Sequence, residues 1–163
     1  MKRKVVPILI LVTCVIMSSC GKEKPPTTID TTNAVWLNLE NAKDFYLAAQ
    51  DIELGSVVLS PAVEKAMQNY PSNTVFAVAI CFAAMVSEDK LSELSPSEEA
   101  KYLHEIFEKA SAGCRDVGIR VDCPQGTCSQ YMFFYAYTTE AQIKSLICSK
   151  DVALYVAATW QYK

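Results

Sequence analysis

Val75–Ala83 reads VFAVAICFA, a short apolar run rich in β-branched and aromatic residues. Its length and composition suit a buried central strand. Downstream, Ser95-Pro96-Ser97-Glu98 forms a capping box with proline at the first helical position. Behind it Leu103, Ile106, Phe107, Ala110 and Cys114 fall on one helical face, while Glu98, Glu99, Glu105 and Glu108 take the rest. Val117–Asp122 then reads as a strand, Cys123–Cys128 (CPQGTC) as a turn, and Gln130–Tyr137 (QYMFFYAY) as another strand. Thr139 with Gln142 makes a second capping box, opening a helix to about Ser149 with Ile143, Leu146 and Ile147 on its apolar face. Val152–Thr159 closes as a strand. The order β-α-β-β-α-β predicts an α+β, ferredoxin-like fold. Right-handed crossovers place both helices on one face of a four-stranded antiparallel sheet, with its first and third strands central.

Upstream, the stretch from Asn38 to Tyr70 reads as helical. Leu39, Ala42, Phe45 and Ala49 recur at helical spacing, and Ser60-Pro61 supplies an N-cap for a second helix that stops at Pro71. The expected organisation is a signal peptide (1–19), a lipidated cysteine and tether (20–34), an N-terminal helical extension (35–72) and a ferredoxin-like domain (73–163).

The chain begins with Lys2, Arg3 and Lys4, followed by an apolar run from Val5 to Met17. That run is shorter than a membrane-spanning helix needs and has the flanks of a secretory signal. It ends in Met17-Ser18-Ser19-Cys20, which resembles the lipobox of bacterial lipoproteins. The resemblance implies that Cys20 is acylated, becomes the first mature residue, and anchors the protein to the lipid bilayer outside the cytoplasm. An ordinary cleaved signal with an incidental Cys20 is the plainer alternative. The Pro- and Thr-containing stretch after it, PPTTIDTTN over residues 25–33, cannot bury apolar surface and reads as a tether.

Thr138–Val156 resembles the closing helix and strand of subtilisin-type protease propeptide and inhibitor domains. The likeness rests on a Thr-x-x-Gln-Ile-x-x-Leu pattern, here Thr139, Gln142, Ile143 and Leu146, followed by a Val-containing strand and preceded by an aromatic one. It implies a ferredoxin-like fold whose open sheet face docks on a secreted protease and whose C-terminal tail enters the active-site cleft.

The 163 residues are 51% hydrophobic and 20% charged, enough to bury one core. The net charge of −3 leaves no basic surplus for phosphates, so no nucleic-acid partner is expected. A single histidine, His104, lies at the border of the apolar helix face with Glu105 and Glu108 nearby. Neither a GxSxG elbow nor an HExxH pair accompanies it, and the acidic pairs Glu88-Asp89 and Glu98-Glu99 lack calcium-loop spacing. No catalytic residue, metal site or cofactor is therefore expected.

Of seven cysteines, Cys14 leaves with the signal and Cys20 carries the lipid. In a secreted chain the rest can pair. Cys123 and Cys128 flank the turn between two strands, so a disulfide clasp is expected, with a CxxxxC metal half-site as the alternative. Cys81 and Cys148 are a second candidate pair, both expected toward one end of the sheet. Cys114 continues a helical apolar stripe and reads as core.

The aromatic residues mark a surface. Tyr131, Phe133, Tyr135 and Tyr137 alternate along one strand, and Tyr155 has the parity to join them. Such a face either docks a protein or lies beneath the N-terminal helices. Two functions follow: a tethered, non-catalytic protein-binding module of the protease-inhibitor kind, or an enzyme or accessory subunit whose site is assembled from scattered residues.

Overall fold

The VFAVAICFA run supplies a strand, Phe76–Cys81, in which all six residues are buried. The computed structural model describes residues 29–37, 42–123 and 126–158. The signal peptide, Cys20, most of the tether and the tail from Trp160 to Lys163 lie outside the described residues. In chain order the elements are β1 (Val35–Trp36), α1 (Ala42–Gln50), β2 (Ser56–Leu59), α2 (Pro61–Asn69) and β3 (Phe76–Cys81). There follow α3 (Glu88–Ser92), α4 (Pro96–Asp116), β4 (Arg120–Asp122), α5 (Cys128–Tyr131), β5 (Phe133–Thr138), α6 (Glu140–Ile147) and β6 (Ala153–Ala158).

The protein is α+β, and among the described residues six strands form one mixed, open sheet in the order β2-β6-β3-β5-β4, with β1 beside β3. β3 runs antiparallel to β5 and β6, and β4 antiparallel to β5. Two parallel pairings correct the expectation of a purely antiparallel sheet: β1 with β3, and β2 with β6. The same two strands lie within the stretch read as a helical extension. Ser56–Leu59 pairs along the outer edge of β6, entered through Gly55 at φ 87°, a left-handed conformation natural to glycine. A strand gains its stability from a distant partner, so the helical spacing upstream did not reveal it. The extension does contain the two expected helices, α1 and α2.

Local signals set the helix starts. Ser60 accepts a hydrogen bond from the Val63 N–H, with Pro61 opening α2. Capping boxes close at Ser95/Glu98 for α4 and at Thr139/Gln142 for α6. The β-strand parity sorts the core into two clusters. On one face Val78, Ile80, Phe134, Leu154 and Val156 pack with Val63 and Ala66 of α2, Phe107, Ala110 and Cys114 of α4, and Ile143 and Leu146 of α6. Phe82, Phe107 and Phe134 bring their rings within 5.8–6.2 Å of one another there. On the other face Ala79, Cys81, Tyr155 and Ala157 meet Phe45 and Ala49 of α1.

The connection before β5 departs from the sequence reading. Gln130–Tyr137 is not one strand: Cys128–Tyr131 winds as the short helix α5, and Met132 at φ 54° reverses the chain into β5. A bond between Cys123 and Cys128 draws their Cα atoms to 5.8 Å, so this segment closes on itself and does not extend as a hairpin arm.

Candidate functional site

The face opposite α2, α4 and α6 carries the aromatic residues. Register fixes their neighbours: Phe133 sits across from Cys81, Tyr135 from Ala79 and Tyr137 from Ala77. On the far side of β3, Cys81 and Ala79 oppose Tyr155 and Ala157 of β6. The centre of the face is therefore a floor of small residues with rings on both sides.

α1 covers the Cys81 end of this floor, reaching residues of both β5 and β6. Phe45 sets its ring edge-on to Phe133 at 5.7 Å and tilted against Tyr155 at 5.9 Å. Tyr46 also lies against Phe133, and its hydroxyl donates to the Tyr131 carbonyl at 3.0 Å. Burial raises the Tyr46 hydroxyl above its ordinary pKa, and nearby Cys81, Tyr135 and Tyr131 add to the effect. Burial likewise pushes the Cys81 thiol up to about 11.

The end of the face at the start of β3, where Trp36 and Tyr137 flank Ala77, is more open. Trp36, 42% exposed, meets the half-buried Tyr137 edge-on at 6.2 Å. The Arg120 guanidinium stands 5.8 Å from the Tyr137 ring, as the Arg120↔Tyr137 pairing of β4 and β5 requires. Half-buried Tyr135 continues the patch and packs edge-on to Phe133.

The expected docking residues are thus divided. Phe133, Tyr135, Tyr137 and Tyr155 do share one face, but Tyr155 is only 8% exposed, beneath α1. Tyr131 stands on α5 and not on the strand; it is 57% exposed and touches Phe133 with its ring. Sequence reading missed Trp36, Arg120 and Tyr46. Arg120 was accessible in principle, since it lies on the predicted strand before the clasp; Trp36 belongs to a two-residue strand that leaves no periodic signal.

Cys123 and Cys128 form the disulfide, which replaces the metal half-site alternative for that pair. Closing so short a loop is worth roughly 2 kcal/mol on the chain-entropy estimate. The Cys81–Cys148 pairing is not made. Cys81 keeps a free, buried thiol on the α1 face of β3, whereas Cys148 caps α6, a helix packed against the opposite face. Cys114 is the other free buried thiol, in the α4 stripe as expected. His104 is exposed on α4, its ring 6.1 Å from Phe107. Among the described residues no cluster of His, Cys, Asp or Glu could hold a metal ion, and no helix is long and apolar enough to cross a membrane.

Comparison with known proteins finds no match to this chain among family models, curated proteins or solved structures.

Proposed function

We propose that this is a secreted lipoprotein, held to the bacterial cell membrane by acylated Cys20, whose domain binds a protein partner without catalysis through its aromatic sheet face. The observation that carries the reading is the contact between Trp36, Tyr137 and Arg120. It is an aromatic pair with a guanidinium beside it, partly open to solvent and set on strands and not on loops. Aromatic and arginine side chains supply most of the energy at protein interfaces, and a sheet presents them with little ordering cost.

The partner class we favour is a secreted subtilisin-type protease. Two features support it: the Thr139–Leu146 pattern, and the antiparallel run β6-β3-β5-β4 with α4 and α6 on one face. We read that run as a ferredoxin-like unit to which β1 and β2 are additions. Since α1 lies over the Cys81 end of the face, the protease would meet the end formed by Trp36, Tyr137 and Arg120.

Two measurements test this. Metabolic labelling with a palmitate analogue should mark the wild type and not Cys20→Ser; label persisting in the mutant would overturn the anchor. Purified protein should slow a subtilisin-type protease, and Trp36→Ala and Tyr137→Ala should each weaken that effect while leaving the thermal melt near wild type. An unaffected protease removes the inhibitor reading.

A further inference from the structure

We propose that α1 is a lid on the aromatic face, latched by the Tyr46 hydroxyl on the Tyr131 carbonyl, and that it opens while the rest of the domain stays folded. The inference rests on the docking reading above for its purpose, because opening would join Phe133 and Tyr155 to Tyr135, Tyr137 and Trp36 in one continuous strip.

Three observations support it. First, α1 has nine residues, too few to be stable without tertiary contacts. Second, among the described side chains of α1 few are buried. Phe45 and Ala49 are buried, Tyr46 is half-buried, and Leu47 on the same helix is 54% exposed. Beneath them lies a floor of small residues, Ala79, Cys81 and Ala157, with the Phe133 and Tyr155 rings at its margins. The other face is held differently, by three helices and the Phe82, Phe107 and Phe134 rings. Third, the latch joins α1 to α5, which the Cys123–Cys128 disulfide ties back to the end of β4. The lid thus closes onto a fixed post. A layer of this kind opens at a lower free energy than the whole domain unfolds.

The two free thiols among the described residues give a direct reading. Cys81 lies under α1, and Cys114 lies in the core on the opposite side of the sheet. Lid opening exposes only Cys81; global unfolding exposes both. The full chain is treated with a maleimide under native conditions and each site is followed by mass spectrometry of its peptide. Cys81 should label at least about tenfold faster than Cys114. Its rate should also rise less steeply with urea, because less surface is exposed. Tyr46→Phe should speed Cys81 labelling about fivefold, the population change expected on losing one hydrogen bond; global unfolding breaks the same bond, so Cys114 should speed by a similar factor and the Cys81 preference should persist. Equal rates that rise together with urea would overturn the lid, and so would a Tyr46→Phe protein with an unaltered Cys81 rate. The wild-type comparison depends on no variant. Selective labelling of Cys81 alongside an unaffected protease would leave the lid standing and remove the inhibitor reading.

Discussion

The Gln142 side-chain amide donates to the backbone carbonyl of Gly118 at 2.7 Å, while its oxygen accepts the Thr139 N–H at 2.9 Å. One buried residue therefore completes the capping box of α6 and ties that helix to the turn between α4 and β4. Replacing it with alanine removes the reciprocal cap bond and strips the Gly118 carbonyl of this donor. Gln142→Ala should cost about 2–3 kcal/mol by urea denaturation, more than a cap loss alone. A loss below about 1 kcal/mol would show that water replaces the amide freely.

The core face of β5 and the exposed ring on α5 should respond differently to truncation. Phe134 is fully buried among the Phe82 and Phe107 rings, so Phe134→Ala should cost about 3–5 kcal/mol. Tyr131 is mostly solvent-exposed on α5, and Tyr131→Ala should cost less than about 1.5 kcal/mol. Denaturant melts of both variants, with Tyr155→Ala as the case buried under α1, separate the layers.

Gly113 lies in the last turns of α4 where the helix approaches the start of β6. A Cβ there would stand 2.8 Å from the Val152 Cγ1, and Val152 is buried and β-branched, with little room to turn. Alanine gains roughly 1 kcal/mol in helix propensity, but overpacking of this kind costs about 1–3 kcal/mol. Gly113→Ala should therefore lower the thermal midpoint. A raised midpoint would mean that α4 shifts outward without penalty.

Stability should fall in alkali through the buried thiols. Burial raises Cys81 from an ordinary 9.0 to about 11 and Cys114 to about 12. Above pH 9 the unfolded chain loses these protons while the folded protein keeps them. Their contribution is thus intact below pH 9 and is lost as pH rises toward the folded values, by about 1.4 kcal/mol per thiol per pH unit at most. Cys81→Ala should flatten the pH dependence of the unfolding free energy between pH 9 and 11. An unchanged slope would assign the alkaline loss to other groups.

How much was legible from the sequence depended on the range over which each signal acts. Ser60-Pro61, Ser95–Glu98 and Thr139–Gln142 announced three helix starts because a cap satisfies N–H groups within its own first turn. Cys123 and Cys128 announced their bond because they flank a turn-forming stretch, and a reversed chain brings residues five positions apart within disulfide reach. The strand parity of Phe133, Tyr135 and Tyr137 was readable for the same local reason. The candidate face was legible as a set of residues, but not as a surface with one end covered.

The sequence by itself determined the α+β class, three of the helix starts, the alternation of β5 and the disulfide, all consequences of forces that act within a few residues. Tertiary structure alone decided that Ser56–Leu59 leaves the helical stretch to pair with β6, and that Trp36 comes to stand beside Tyr137. It decided as well that Cys81 faces α1, not α6, and that Tyr46 reaches Tyr131 across eighty-five positions. Each of these depends on which layer claims a given face of the sheet. That choice balances burial against loop closure over the whole chain, and no short stretch of sequence contains it.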